Sequence, residues 1–557
     1  MTAVAIERFG PTRPWSRAGS TIDAQVALRA TRPVAIDVVV ELVDGIEVVD
    51  RATLEVELLP GRRSVALPLR LPDRRRRGYG LRLSVYGTGR TLVRASAVEA
   101  LDGWWDAPRH AALIRFERAG AATRVIALRD WHVTVTQAYD WMWRHYRFRA
   151  PTEPFIDALG RRVSHDAVRA AVAAGHDVGL AALAYGAVYG AEPEYVANHP
   201  DEVLRDEAGA PLGLGGTFHI MDIRPGTPWR RRLLEEYEDA CQGFDFDGIH
   251  MDTYGPPYRG IAADGAAVEL DQVYPGLIAE ADARVRATDP RRRVLFNCVE
   301  GWPLAAVADA PAAALYLELW PPDDRFSDLV RWIDEARRLA AGRAVVIAAY
   351  GAAMKDPPTE PAARVRAFEA TLLATVVITA AGAFHHTLAE AGRLLVEGYY
   401  PAAVVMRRGE ATALRSAWRF GARALHLVSA ADARPLAVDD LELRTGDGAL
   451  APISHVPAAG KVWVRATSTD AGPVVQLIDL RGQTDDRWTE PRDVGPASDG
   501  WTLRWPAASA PIAGSPWTAR GEFAALRLGR ERGTWRLPAF RRWLVVNDPL
   551  TSPAGPR

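Results

Sequence analysis

The chain has 557 residues, more than one hydrophobic core serves, so two to four domains are expected. With 48% hydrophobic and 25% charged residues, the composition is that of a globular protein, which excludes a disordered or fibrous one. Lys+Arg number 68 against Asp+Glu 69, a formal net charge of −1; without a basic excess, neither nucleic acid nor an anionic membrane is an expected partner.

The N-terminal stretch carries Glu7, Arg8 and Arg13 where the apolar core of a signal peptide would lie, and the chain has only two cysteines, Cys241 and Cys298. A cytoplasmic protein without disulfides is expected. No run approaches the ~18 apolar residues of a membrane span. The run Arg74, Arg75, Arg76 and Arg77 reads as a solvated hairpin end rather than a binding patch. The 18 Trp residues serve core packing, sugar stacking, or both.

In chain order, residues 20–100 alternate apolar and polar with period two, broken at Asp44-Gly45 and Pro60-Gly61, which are hairpin signals. An immunoglobulin-like antiparallel β-sandwich over 1–115 is expected. From about residue 124 short apolar runs alternate with amphipathic helical stretches. The strand candidates are VTVTQAY, VGLAALAY, TFHIMDI, DGIHMD, RVLFNCV, ALYLELW, AVVIAAY and GAFHHT. Eight such strands predict a multidomain protein with a central (β/α)8 TIM barrel over 116–415. No G-x-G-x-x-G turn follows a strand, which weakens the dinucleotide-binding alternative. After about residue 420 alternation returns in ARALHLVSA, KVWVRATS, GPVVQLIDL, GWTLRW and GTWRLPAF, predicting a C-terminal β-sandwich over 416–557 that ends in a frayed polar tail.

A barrel places its chemistry at the C-terminal ends of its strands. Counting the candidates in order, those ends carry Asp140, Tyr185, Asp222, Asp252, Asn297 with Glu300, Glu318, and His385 with His386. Asp252 closes an apolar strand and is followed at once by a Thr-Tyr-Gly turn, which holds a carboxylate rigidly with one face open, as a nucleophile requires; the alternative is a cap on the next helix. Glu318 ends LYLELWPP among Leu317, Leu319 and Trp320, a partly desolvated setting that keeps a carboxyl protonated as a general acid; the alternative is a rim glutamate paired with an arginine. Glu300 is its competitor. Trp141, Tyr254 and Trp320 are candidate sugar platforms among many strand-end aromatics, Tyr399 and Tyr400 included. His250 shares a strand face with Asp252, and with His385 and His386 it suggests a metal site. Metal hydrolases on barrels usually show an H-x-H pair on the first strand, which is absent, so neither metal nor cofactor is expected.

QAYDWMWRH, FDFDGIHMDTYG and LYLELWPP together resemble three segments of glycoside hydrolase family 66, the dextranases and cycloisomaltooligosaccharide glucanotransferases. MDIRPGTPW and GAFHHTLAE are similar to two further segments, so the resemblance covers roughly residues 115–410. It implies Asp252 as nucleophile, Glu318 as general acid/base, and Asp140 and Asn297 as sugar-holding groups with His385 nearby. It also implies flanking β-domains and an α-1,6-linked glucan or isomaltooligosaccharide substrate, cleaved with retention by a dextranase-like hydrolase. Glu300, His386 and Thr387 depart from the family pattern. The absence of an inserted carbohydrate-binding module favours hydrolysis over transglycosylation to cyclic isomaltooligosaccharides. A non-catalytic α-glucan-binding protein and a metal-dependent hydrolase are the alternatives from other classes.

Overall fold

In the strand Thr21–Ala30 every second side chain is buried, among them Ile22, Ala24, Val26 and Leu28. This strand pairs antiparallel with Val4–Pro11 and Gly61–Arg70 in a three-stranded sheet. A five-stranded sheet containing Val34–Asp44, Glu47–Leu58 and Arg77–Tyr86 shares its core, where Val26 and Leu28 meet Val38, Val40, Leu81 and Leu83. The hairpin expected at Asp44-Gly45 is present: Asp44 pairs with Glu47 and Gly45 takes φ 57°. The arginine run is neutralised locally. Arg76 lies 2.8 Å from Asp106, Arg77 2.7 Å from Asp44, and Arg74 and Arg75 approach Asp44 and Asp102.

The computed structural model describes residues 3–398, 401–437 and 440–549, so Tyr399, Tyr400 and the expected polar tail lie outside the described residues. Its centre is a curled eleven-stranded sheet. Eight of its strands run parallel: β1 (His110–Leu113), β2 (Val135–Ala138), β3 (Ala181–Ala187), β4 (Gly248–Asp252), β5 (Arg293–Val299), β6 (Leu315–Glu318), β7 (Val345–Ala348) and β8 (Phe384–His386). Each is hydrogen-bonded to the next in chain order. Directly after β8, Leu388 and Ala389 pair in parallel with Ala111 and Ala112 of β1. Helices fill every β-to-β connection, as parallel pairing demands. One of them, Phe326–Leu339, buries Phe326, Leu329, Val330 and Ile333 along one stripe.

Two expected elements change place. TFHIMDI is not in this sheet: Phe218–Ile220 joins a small antiparallel sheet with Gly190–Ala191 and Gly213–Leu214. The missing strand is β1, inside the stretch assigned from sequence to the N-terminal domain. Its four residues are all buried, so they show no alternation to announce a strand. The two errors offset each other, and Asp252 and Glu318 still end the fourth and sixth parallel strands.

ARALHLVSA is helical rather than extended, split between Arg408–Arg423 and Leu425–Val428, and the expected boundary at 415 falls inside the first of these helices. Leu414, Ala417, Trp418 and Gly421 recur at helical spacing on its buried face, a period hidden by the surrounding strand texture. The helix packs on the N-terminal sheet, where Arg419 donates to the Ala95 carbonyl at 3.1 Å. Beyond it, a seven-stranded and a four-stranded sheet enclose Leu443, Val464, Leu477, Trp501, Leu503 and Leu544. Arg542 grips the buried Glu369 of the helix Pro361–Ala380, and Arg465 meets Asp334 at 2.7 Å, tying these sheets to the centre. The protein is thus multidomain and mostly sheet. Among the described residues no helix is long and apolar enough to cross a membrane.

Candidate active site

β4 begins at Gly248, where φ is 154° and an added Cβ would lie 1.7 Å from the Arg293 carbonyl oxygen. Only glycine lets β4 close on β5 there, and the strand then delivers Asp252 at its end. Asp252 is buried, as are Asn297 on β5 and Glu318 on β6. The Asn297 amide nitrogen donates to Asp252 Oδ1 at 2.7 Å and to Glu318 Oε2 at 2.6 Å. Two bonds of these lengths from one nitrogen place the two carboxylate oxygens no more than 5.3 Å apart. The other Glu318 oxygen accepts from the Tyr350 hydroxyl at 2.9 Å, and the Trp320 indole also donates to this carboxylate. Tyr185 donates to Asp252.

Burial raises the pKa of both carboxyls, and for Asp252 the negative charge of Glu318 raises it further; the donors partly oppose this. The two groups titrate as a pair, which favours retention of one proton. Burial and the nearby carboxylates push Tyr139, Tyr185, Tyr254 and Tyr350 well above the usual phenol range, so all four stay protonated as donors.

A cavity of about 440 Å³ opens over the pair, within the usual range for a small-molecule site. Asp140, Tyr185, Asp252, Tyr254, Glu300, Glu318 and Trp320 all line it, as the sequence suggested. Asn297 lies just behind, where it spaces the carboxylates. Asp140 takes φ 44° and pairs with Arg161 at 3.1 Å. Glu300 takes φ 55°, and its backbone N–H donates to the Glu318 carbonyl at 2.7 Å, so its side chain serves the rim. The Tyr254 hydroxyl is buried without a protein partner, leaving a donor for a ligand.

Four candidates do not reach this cavity. Trp141 is 0% exposed, packed against Phe148, Phe244 and Phe246, with its indole N–H on the Tyr185 carbonyl; it is core, not a sugar platform. Asp222 is held by Arg224 at 2.7 Å and shapes the turn before the helix Pro228–Phe244. His250 points below the carboxylates, edge-on to Tyr316 at 4.9 Å. His385 faces away from the cavity, its Nε2 on the Ala349 carbonyl at 2.7 Å and its Nδ1 on Thr375 at 2.9 Å. Burial pulls the pKa of His385 down to about 4, so it stays neutral.

Other residues were missed. Tyr350 follows β7 and was within reach of the strand-end rule, since AVVIAAY was already a strand candidate. His145 lines the cavity and pairs with Glu192 at 2.9 Å. Burial alone would lower the His145 pKa, but the Glu192 carboxylate outweighs it and the net shift is upward. Thr217 and Phe218 reach the cavity from the small antiparallel sheet, a placement that no local pattern announces.

The sequence profile of Glycosyl hydrolase family 66 matches residues 17–499. A cycloisomaltooligosaccharide glucanotransferase from Niallia circulans is 26% identical over 298 residues, 49% of this chain and 30% of that protein. A second from the same organism is 27% identical over 279 residues, 46% of this chain and 29% of that one. The match thus spans about three-tenths of the length of these curated relatives. Among solved structures, a Paenibacillus sp. cycloisomaltooligosaccharide glucanotransferase complexed with cycloisomaltoheptaose superposes with a TM-score of 0.87 at 18% identity, over 98% of this chain and 100% of that one. An α-amylase from Geobacillus thermoleovorans complexed with acarbose reaches 0.51 at 9% identity, over 79% and 98%. The profile match extends over most of the chain, and the chain belongs to glycosyl hydrolase family 66.

Proposed function

We propose that this protein is a retaining glycosidase acting on α-1,6-linked glucan or isomaltooligosaccharides, with Asp252 as nucleophile and Glu318 as general acid/base. On this reading the curled sheet is a (β/α)8 barrel, the paired sheets at either end of the chain are β-sandwiches, and the cavity is a sugar site. The observation that carries the proposal is the Asn297 bridge, since retaining glycosidases hold their two carboxyl groups ~5–5.5 Å apart and inverting ones hold them wider.

Asp252 attacks the anomeric carbon while protonated Glu318 gives its proton to the departing glycosidic oxygen. Ester formation then removes the negative charge facing Glu318. With that charge gone, the donors Asn297, Tyr350 and Trp320 favour ionised Glu318, the form that takes a proton from water or an acceptor sugar. The glycosyl ester is then cleaved, and both groups return to their starting states.

Transfer to an acceptor hydroxyl rather than to water is the second reading, favoured by the names of the curated relatives. Chromatography of products from α-1,6, α-1,4 and α-1,3 glucans separates the readings. New reducing ends from the α-1,6 substrate alone support hydrolysis, and products without reducing ends support cyclising transfer. Binding with no product from any glucan overturns both in favour of a non-catalytic binder.

A further inference from the structure

The two buried carboxyls divide the cavity wall between them. Asp252 is flanked by Tyr185 on the neighbouring β3 and by Tyr254 in the turn that follows it. Glu318 is flanked by Trp320 and Tyr350, whose rings lie 5.3 Å apart, and it accepts from the Tyr350 hydroxyl at 2.9 Å. In a double displacement the nucleophile faces the sugar that is retained, and the acid/base group faces the oxygen that leaves. The side carrying Trp320 and Tyr350 is therefore where the leaving sugar departs and where an acceptor enters.

A third carboxylate belongs to that side. Glu397 ends the strand Arg393–Glu397, which follows β8, and it lines the cavity together with Glu318 and Trp320. The next residue fixes its place. A Cβ added at Gly398 would lie 2.2 Å from the Tyr350 hydroxyl, so the backbone there rests directly on the group that donates to Glu318. Burial raises the Glu318 pKa, and the negative charge of Glu397 adds to that rise, as a neighbour on this side should. Glu397 meets Lys355 at 2.7 Å, just past the turn Ala352–Met354, and accepts from the Gly398 N–H at 3.1 Å. As an ion pair alone this contact stabilises the fold little, because Lys355 is exposed. What it secures is the place of a carboxylate on the cavity wall. A carboxylate offers about four acceptor positions, enough for protein donors and sugar hydroxyls together.

We propose that Glu397 selects a sugar over water as acceptor, taking hydrogen bonds from hydroxyls of a glucose unit whose ring lies against Trp320. This rests on Asp252 and Glu318 being nucleophile and acid/base. In the transfer step the bond from the anomeric carbon to Asp252 breaks and a bond to the acceptor oxygen forms. The acceptor's proton passes to Glu318. Water undergoes the same step without Glu397. A sugar needs orienting, since only one of its several hydroxyls must face the ester.

The test reads the fate of the glycosyl ester. With nitrophenyl α-isomaltoside as donor and isomaltose as added acceptor, chromatography gives the ratio of transfer to hydrolysis at each acceptor concentration. A change in ester formation, or in the Glu318 pKa, acts on both fates and cancels in that ratio. Glu397→Ala is expected to lower the ratio roughly tenfold at fixed isomaltose, and Glu397→Gln, which keeps one accepting oxygen, to lower it less. A ratio unchanged in Glu397→Ala overturns the proposal, and so does one unchanged in Glu397→Gln if the alanine variant does not fold. A wild-type ratio that does not rise with isomaltose also overturns it. Nitrophenol release with an unmoved ratio defeats the role of Glu397 alone, whereas a wild-type protein that releases no nitrophenol defeats the catalytic reading and Glu397 with it.

Discussion

The Asn297 amide nitrogen lies 2.7 Å from Asp252, and the hydrogen bond it makes there is matched by one of 2.6 Å to the opposing Glu318. A single NH₂ group therefore spaces and partly neutralises two buried carboxyls. Asn297→Ala removes both bonds and leaves the carboxyls to repel each other. The expected loss is ~10²–10³-fold in kcat with little change in KM, comparable to deleting one preorganised donor from an active site. Steady-state kinetics at several pH values checks it, and a variant within twofold of wild type sinks the bridging role.

Asp252→Asn is expected to abolish turnover and to raise the melting temperature at neutral and alkaline pH. The sign follows from linkage. The folded pKa of Asp252 lies above its unfolded value, so its contribution to stability is intact below the unfolded pKa and is lost as pH rises through the folded pKa. The neutral amide escapes that loss. Melting curves of the two proteins should therefore converge near pH 4 and separate as the pH rises. A gap that is constant with pH contradicts the burial argument.

On the proposed assignment, Glu318→Gln leaves the nucleophile in place but removes the proton donor. Substrates with acidic leaving groups need little protonation, so the variant should cleave an activated aryl glycoside far better than natural glucan, relative to wild type. A covalent adduct on Asp252, found by mass spectrometry of the slowed variant, is the expected trapped species. An adduct on another carboxylate reassigns the nucleophile.

Two tryptophans that look alike in sequence should behave oppositely. Trp141→Ala empties a packed site and is expected to cost about 3–5 kcal/mol of stability. Trp320→Ala alters the cavity wall beside Glu318, with an expected rise in KM of roughly tenfold, about 1.4 kcal/mol of sugar contact, and a smaller change in melting temperature. Denaturant melts paired with kinetics separate the two.

How much of this was legible follows from which signals are local. Asp252 and Glu318 stand out because each polar group ends an apolar strand, and a strand-end position in a parallel sheet is a statement about the site. β1 was hidden because a fully buried four-residue strand has no period. Phe218–Ile220 misled because alternation is equally good in a small antiparallel excursion as in the central sheet. Trp141 sits one residue from Asp140 along the chain yet faces the core, and His250 shares the strand face of Asp252 but lies deeper. Facing depends on pleat and loop path, which residue identity alone does not specify. Glu397 acquires meaning only when the strand after β8 is seen against Tyr350 at the end of β7.

The parallel pairing of Leu388 and Ala389 with Ala111 and Ala112 has a temporal consequence. A growing polypeptide reaches Asp252 and Glu318 well before the residues that cover the free edge of the first strand. Until residue 389 has left the ribosome, the first strand has one open edge and the sheet that carries the two acids is incomplete. That pairing is a contact of very long sequence separation, the kind that forms slowly. Competence to turn over substrate should therefore arrive late in synthesis and in a single step.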